Sequence, residues 1–223
     1  MAVGGFATLV TLCIGITIGA LVWYNQTRTE WEGKTMRILM LGNSFTTAND
    51  LPGQLAALTG AEVVCHTRGG ARLSEHLNPG TRLGARTQAA LAGEHWDYVV
   101  LQEMSHGPCT SPGSFFASVE RLCAQIRAAG AVPVLYATWA YQEGGAKLAA
   151  KGWDYETMAR TLSEAYRQAA RENHALLAEV GEQFHERSRT ENLYAADSVH
   201  PNALGSRIAA ETLASVVQKH KEN

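Results

Sequence analysis

Two short segments at opposite ends of the chain carry residue types that cooperate in nucleophilic chemistry. Ser44 lies in the segment GNSFT, directly after an apolar run, and the segment DSVHP contains Asp197 and His200. In a helical turn, residues three apart face the same side, so the carboxylate can accept a hydrogen bond from Nδ1 and hold Nε2 toward a nucleophile. Pro201 can begin the following helix, which places His200 at its N-terminal edge. The pattern indicates Ser44 as nucleophile, with Asp197 and His200 as its acid–base partners.

Each segment also has a simpler interpretation when it is considered alone. A serine in a turn often caps the next helix, although Asn49 or Asp50 is better placed for that cap. An Asp-x-x-His spacing also occurs in ordinary surface loops. The combination favours chemistry, because a serine after a strand exposes its hydroxyl and offers its backbone N–H to an oxyanion.

Further polar groups follow the next predicted strands and are candidates to stabilise an oxyanion. Gly70, in TRGG, can present a free backbone N–H, and the same segment also fits a simple turn. The Gln102 side chain can donate to an oxyanion or be a satisfied polar group in a loop. Trp139 and Tyr141 either line an ester-binding pocket or pack in the core.

The elements that must position these residues alternate between short apolar runs and helical patterns. Predicted strands are Met36–Leu41, Glu62–His66, Tyr98–Leu101, Val132–Ala137 and Ala175–Val180. Predicted helices are Leu51–Leu58, Thr81–Ala92, Phe115–Ala129, Tyr155–Asn173 and Ala203–Gln218. Continuous apolar runs predict strands that are covered on both faces. We therefore expect an α/β three-layer sandwich with a flavodoxin-like, parallel five-stranded sheet, whose ligand site lies at the carboxyl ends of the strands.

Composition limits the classes of function. The chain has 223 residues, 46% hydrophobic and 18% charged, with a net charge of −2. This is globular composition, and no basic excess points to nucleic acid. No CxxC motif occurs and no Cys/His spacing suits a zinc site, so we expect no metal site. Cys65, Cys109 and Cys123 are expected to be buried free thiols, or one disulfide and a spare thiol.

The N-terminal segment is uncharged over residues 1–26. The stretch Val3–Tyr24 is almost wholly apolar and matches the ~20 residues that a helix needs to cross a bilayer. We expect a membrane anchor over 1–26, a linker over 27–35 and a domain over 36–220, with that domain outside the cytoplasm. A cleaved signal peptide and a buried helix are the alternatives. The charges that follow the segment nearly cancel, so they do not fix its orientation.

Four blocks in this order resemble the SGNH (GDSL-type) hydrolases. They are GNSF at Gly42–Phe45, with Asn where many members carry Asp; the pair Gly69-Gly70; YVVLQE at Tyr98–Glu103; and DSVHP at Asp197–Pro201. The resemblance covers about Met36 to Gln218. It implies ester hydrolysis through an acyl-enzyme without a metal or cofactor.

The resemblance also implies roles for individual residues. Ser44 is the nucleophile, His200 the base and Asp197 its partner, with an oxyanion hole formed by the N–H groups of Ser44 and Gly70 and the side chain of Gln102. The third block departs from the family pattern, which usually ends Gly-x-Asn-Asp. Here the strand is followed by QEMSH, so the third donor is Gln102 or, with a shift in register, Ser105 or His106.

The resemblance implies a class of substrate only by analogy. Small acyl groups, especially O-acetyl groups on carbohydrate, are the first expectation, and a lipid or lysophospholipid ester is the second. A non-catalytic module is the alternative from another class, since a glycine- and serine-containing turn before a helix can also bind a phosphate group. That alternative leaves Asp197 and His200 unexplained.

Overall fold

The apolar runs form one parallel β-sheet in the computed structural model, which describes residues 35–222. The strands are β1 Arg37–Gly42, β2 Glu62–Thr67, β3 Tyr98–Leu101, β4 Val132–Tyr136 and β5 Leu176–Ala178. Their order is β2-β1-β3-β4-β5, and every neighbouring pair is parallel. The predicted five-stranded parallel sheet is therefore confirmed, with β5 shorter than the apolar run that predicted it.

Helices connect the strands. In chain order they are α1 Ser44–Thr47, α2 Leu51–Thr59, α3 Leu73–His76, α4 Arg82–Gly93, α5 Gly107–Thr110, α6 Pro112–Ala128, α7 Ala146–Ala150, α8 Tyr155–Glu172, α9 Val180–Arg187 and α10 Ala203–Glu222, with a 3-10 turn at Ala48–Asp50. The side chains of Asp50, Thr81 and Asp154 cap α2, α4 and α8 by accepting backbone N–H groups. The five predicted helices are all present, and α9 begins where the predicted fifth strand was expected to end.

Both faces of the sheet are covered by helices. Alternate residues of β1 point to opposite faces, so Ile38 and Met40 belong to one core cluster and Leu39 and Leu41 to the other. The first cluster includes apolar residues of α2 and α10, and the second includes residues of α4 and α6. This burial on two faces explains why the strands read as continuous apolar runs.

Strand register brings the candidate residues to one edge of the sheet. Leu41 pairs with Leu101, and Gly42 pairs with Thr67, so β1, β2 and β3 end at the same level. The segments containing Ser44, Gly70 and Gln102 therefore leave the sheet side by side. This is the carboxyl edge, where ligands bind in sheets of this topology.

Three expectations concern features other than the sheet. The predicted membrane anchor at residues 1–26 lies outside the described residues, and no helix within 35–222 has the length and apolar character needed to span a bilayer. The thiols of Cys65, Cys109 and Cys123 are free, as expected, but only Cys123 is buried, while Cys65 and Cys109 are partly exposed. Residues 35–222 contain no group of three or more His, Cys, Asp and Glu side chains that suits a metal ion.

Candidate active site

Ser44, His200 and Asp197 form a continuous hydrogen-bonded chain at the carboxyl edge of the sheet. Ser44 Oγ lies 2.8 Å from His200 Nε2, although the two residues are 156 positions apart in sequence. His200 Nδ1 lies 2.5 Å from Asp197 Oδ2. In this arrangement the imidazole can take the proton from the serine hydroxyl, and the carboxylate orients the ring and stabilises its charged form.

Asp197 is held by more than the imidazole. Its Oδ1 accepts the backbone N–H groups of Val199, at 3.0 Å, and of His200, at 2.9 Å. Partial burial raises the pKa of Asp197, but the hydrogen bonds from the His200 ring and from the two N–H groups outweigh it. The pKa therefore lies below its ordinary value, and the carboxylate stays charged beside the ring.

The segment that carries Asp197 and His200 is a turn and not the helical turn assumed from the spacing. Ser198 has a left-handed backbone with φ +63°, and α10 begins only at Ala203, after Pro201. The turn is fixed from outside by neighbouring segments. Trp139 Nε1 donates to the Val199 carbonyl, at 3.0 Å, and the Gln142 N–H donates to the Ser198 carbonyl, at 2.9 Å.

The serine is positioned by Asn43, which is buried just before α1. Asn43 Oδ1 accepts the Phe45 N–H at 3.1 Å, so Asn43 caps the short helix that starts at Ser44. Its Nδ2 donates to the Ala71 carbonyl at 3.0 Å. An Asp at this position, as many family members have, would lack that donor. Asn43 thus joins the serine segment to the glycine segment.

An aromatic stack supports the His200 ring. The Phe45 ring lies against Trp139, with centroids 4.6 Å apart and an interplanar angle of 6°. The edge contact between Phe45 and His200 has a centroid separation of 5.3 Å. Trp139 is fully buried and also stacks on Phe184, with centroids 4.0 Å apart. Of the two sequence interpretations of Trp139, the structure favours packing.

Gln102 faces away from the position expected of an oxyanion donor. Its side chain is fully buried, and Oε1 accepts the Asn43 N–H at 3.0 Å and the Thr46 hydroxyl at 2.9 Å. Nε2 donates to the Glu103 carbonyl. Because a backbone N–H can only donate, the contact with Asn43 fixes which end of the amide carries the oxygen.

This placement corrects the predicted role of Gln102. The amide nitrogen of Gln102 already donates to the Glu103 carbonyl, and its oxygen holds the serine segment through Asn43 and Thr46. We therefore assign Gln102 a role in positioning the serine segment. Gln102 and Thr46 pack so closely against Gly42 that no side chain fits there, because a Cβ on Gly42 would come within 2.3 Å of Thr46 Oγ1 and 2.7 Å of Gln102 Oε1. The expectation that Gln102 replaces the missing Asn of the family pattern has no support in this geometry.

Gly70 lies in an exposed turn beside the serine segment. Its φ of +67° is a left-handed conformation that suits glycine, and the turn is closed by the Ala71 N–H donating to the Arg68 carbonyl at 2.9 Å. The carbonyl of Ala71 is the one that Asn43 holds. The structure thus keeps Gly70 next to the nucleophile segment, and its N–H remains a candidate oxyanion donor with that of Ser44.

A polar cluster follows β3 and β4 where the family pattern places its Asn. Ser105 Oγ lies 3.0 Å from the Tyr141 hydroxyl, and His106 Nδ1 lies 2.7 Å from the same oxygen. Burial lowers the pKa of His106, as do the nearby positive charges of Lys151 and Arg72. The sequence indicates Ser105, His106 and Tyr141 separately. Nothing in their spacing indicated that the Tyr141 hydroxyl would contact the other two side chains.

A cavity of about 230 Å³ lies elsewhere, between α8 and α9. It is lined mainly by charged residues of these helices and by the residues after β4, and none of the three triad residues lines it. The triad itself is at an accessible edge, since Asp197 is exposed and Ser44 and His200 are partly exposed. The cavity is therefore separate from the candidate active site.

A parallel sheet of order 2-1-3-4-5, with a Ser–His–Asp chain at its carboxyl edge, defines a hydrolase-type α/β protein. The sequence matches the GDSL-like Lipase/Acylhydrolase family over residues 31–208, so the chain belongs to that family. No curated protein matches the sequence.

Solved structures agree with this assignment. A protein from Slackia heliotrinireducens, assigned as an SGNH hydrolase, is 55% identical, with a TM-score of 0.79, over 82% of this chain and 100% of that chain. A DUF4886 family protein from Bacteroides uniformis is 21% identical, with a TM-score of 0.65, over 83% and 84% of the two chains. An acetylxylan esterase from Geobacillus stearothermophilus is 18% identical, with a TM-score of 0.62, over 83% and 95%. The last two similarities show the shared fold alone.

Proposed function

We propose that the protein is a serine hydrolase that cleaves a small acyl ester through an acyl-enzyme. The observation that carries the proposal is the hydrogen-bonded chain from Ser44 Oγ through His200 to Asp197. These hydrogen bonds direct a base, His200, toward the Ser44 hydroxyl. A binding module of the same fold would not need such an arrangement, because it has no hydroxyl to activate. Membership of the GDSL-like family supports the same reaction class.

In the proposed mechanism, His200 Nε2 removes the proton of Ser44 Oγ as the oxygen attacks the acyl carbon. Asp197 keeps the ring oriented and stabilises its positive charge. The N–H groups of Ser44 and Gly70 stabilise the oxyanion that forms on the carbonyl oxygen. His200 then protonates the leaving alcohol, and a water molecule, activated by the same ring, attacks the acyl-enzyme and releases the acid.

The proposed substrates are esters with a short acyl chain, with O-acetyl groups on carbohydrate as the first class to test. Support comes from the shared fold of the acetylxylan esterase of Geobacillus stearothermophilus. The accessible position of the triad at the sheet edge suits an acyl group attached to a larger molecule. A lysophospholipid is the comparison substrate, because a membrane anchor would bring the site to lipid.

Labelling with a fluorophosphonate probe tests the proposal directly. The wild-type protein should be labelled at Ser44, and Ser44→Ala should lose both the label and hydrolysis of 4-nitrophenyl acetate. Asp197→Asn should keep a small residual rate. Ser114→Ala, which changes an exposed serine on α6, is the matched control and should behave as wild type. Full labelling of Ser44→Ala would refute the assignment and make Ser105 the next nucleophile to test.

We further propose that residues 1–26 anchor this domain to a membrane, with the domain outside the cytoplasm. The proposal rests on the uncharged, apolar sequence of that segment. A variant that starts at Lys34 should be recovered in the soluble fraction and should keep its rate on small esters. The full chain should sediment with membranes and resist extraction at high pH. Uncleaved full-length protein in the soluble fraction would contradict the anchor.

A further inference from the structure

The segment that carries Asp197 and His200 is a strained turn, and we call residues 197–201 the catalytic turn. Ser198 has a left-handed backbone with φ +63°, in the region that favours glycine. A conformation of this kind persists only where the surrounding contacts determine it. The position of His200 therefore depends on the groups that hold the catalytic turn.

Four consecutive carbonyl groups of the catalytic turn, those of residues 198–201, accept hydrogen bonds from other segments. Backbone N–H groups hold two of them, from Gln142 to Ser198 at 2.9 Å and from Ala195 to His200 at 2.8 Å. Side chains hold the other two, from Asn49 to Pro201 and from Trp139 to Val199, at 3.0 Å each. Of these two side chains, Trp139 is the one that acts on the peptide group leading into His200.

The peptide group that joins Val199 to His200 is held at both ends. Its carbonyl accepts the indole N–H of Trp139, and its own N–H donates to Asp197 Oδ1 at 2.9 Å. The peptide group after His200 is held as well, through its carbonyl. Because peptide groups are rigid planes, fixing both planes sets the direction in which the His200 side chain leaves the backbone. That direction brings Nε2 to within 2.8 Å of Ser44 Oγ.

Two aromatic rings fix the direction of the Trp139 N–H. Trp139 is 1% exposed and stacks on Phe45 and on Phe184, with interplanar angles of 6° and 7°. The N–H lies in the plane of the indole, so the ring cannot tilt away from the Val199 carbonyl without losing these stacks. Phe45 directly follows Ser44 and contacts the His200 ring. Trp139 thus contacts the nucleophile segment as well as the catalytic turn.

The aromatic contacts continue to the far end of the catalytic turn. Phe184 contacts Tyr194 edge to face, with centroids 5.5 Å apart. The backbone of Tyr194 pairs with that of Pro201, and its hydroxyl donates to the Ala140 carbonyl at 2.9 Å. Ala140 directly follows Trp139, so the chain of contacts closes on itself around the catalytic turn.

We infer that Trp139 is a positioning residue for ester hydrolysis, whose indole N–H keeps His200 directed at Ser44. The inference rests on the proposed hydrolase function and adds to it a residue that acts through His200. Without the N–H, the peptide group before His200 loses one of its two holds. A misplacement of about 1 Å in a catalytic group can cost on the order of 10²-fold in rate.

Two replacements of Trp139 test the inference with 4-nitrophenyl acetate. Trp139→Phe removes the N–H and keeps an aromatic ring, but it also leaves space in the core. Replacement by 3-benzothienylalanine, introduced by amber suppression, keeps the bicyclic ring and puts sulfur in place of the N–H. Both should lower kcat at least about tenfold and leave KM within about twofold of wild type, because the contact acts on the reacting groups and not on substrate binding.

Trp96 provides the matched control. It is fully buried in the other core cluster, and its Nε1 donates to the Ala90 carbonyl at 3.1 Å. The same two replacements at Trp96 remove an equivalent hydrogen bond and should lower the Tm comparably, but kcat should stay within about twofold of wild type. A fall in kcat of less than about fivefold in both folded Trp139 variants, or an equal fall in the Trp96 variants, would overturn the inference.

A spectroscopic measurement separates this inference from the proposed activity. Proton–nitrogen correlation spectra of protein labelled in its histidines report the hydrogen bonds at both ring nitrogens of His200, and His200→Gln assigns the signals. These signals should shift in the Trp139 variants and stay unchanged in the Trp96 variants, even if the wild type hydrolyses no ester. Unchanged His200 signals in the Trp139 variants would refute the inference, even if ester hydrolysis is found.

Discussion

Gln102 gives the sharpest test of how the structure positions its serine. Substitution by Ala would leave three groups without their partner, the Asn43 N–H, the Thr46 hydroxyl and the Glu103 carbonyl. Thr46 and Gln102 are fully buried, and Asn43 is nearly so. An unsatisfied buried polar group costs about 1–3 kcal/mol, and the Thr46 hydroxyl can rotate toward another acceptor. We therefore expect Gln102→Ala to lower the free energy of unfolding by about 3 kcal/mol or more.

For a domain of this size, a loss of 3 kcal/mol corresponds to a fall in Tm of about 6–12 °C. Calorimetry or thermal circular dichroism measures the fall, and the turnover of 4-nitrophenyl acetate is measured well below the Tm of the variant. Because the Gln102 amide points into the protein, kcat of the folded variant should stay within about threefold of wild type.

The control for this variant is Gln88→Ala. Gln88 donates to the His76 carbonyl, at 3.0 Å, and to Gln125, at 3.2 Å, in a partly buried position on α4. The Gln88→Ala variant should lower the Tm less than Gln102→Ala does, because fewer buried groups lose a hydrogen-bond partner. If Gln102→Ala keeps its Tm within about 2 °C and loses about 10²-fold in kcat, the side chain is an oxyanion donor and the assigned structural role is wrong.

Three further predictions concern the triad, pH and the residue before the serine. The double variant Ser44→Ala/His200→Ala should hydrolyse 4-nitrophenyl acetate no more slowly than either single variant, since the pair acts as a unit; additive losses would contradict this. Burial lowers the pKa of His66 and His76 to about 4, so the unfolded chain binds more protons between pH 6.5 and 4 and stability falls as pH falls through that window. Urea denaturation at pH 7 and 4.5 should show a loss of roughly 2 kcal/mol per histidine, which a His66→Asn/His76→Asn variant should not show. Asn43→Asp should lower kcat and Tm together, because a carboxylate cannot donate to the carbonyl of the glycine segment; an unchanged kcat would show that this link does not position the serine.

The sheet was predictable because burial on both faces leaves a direct signal in the sequence. The run MRILML fills both core clusters at once, which only a strand covered on two sides can do. The short helices α3, α5 and α7 were not predicted, because a helix of four or five residues has no complete apolar repeat. Helix α9 was missed for a different reason, since its first residue, Val180, continues the apolar run of β5.

The candidate site was predictable in its residue types but not in its orientations. The positions of Ser44 and His200 follow from the ends of a strand and the start of a helix, which the sequence marks clearly. The direction of the Gln102 amide depends on a backbone N–H 59 positions away, and no local pattern contains that information.

The contact between serine and histidine needs its own support, because it joins two ends of the chain. Asn49 supplies it, since its Nδ2 donates to the Pro201 carbonyl at 3.0 Å and to Ser206 Oγ at 2.8 Å. To reach both acceptors, Asn49 adopts a left-handed backbone with φ +51°, a conformation that asparagine tolerates better than most residues. The segment after Ser44 is thereby tied to the segment after His200. The sequence suggested Asn49 as a possible helix cap, but Asp50 performs that function, which leaves the Asn49 side chain to hold the two halves of the site together.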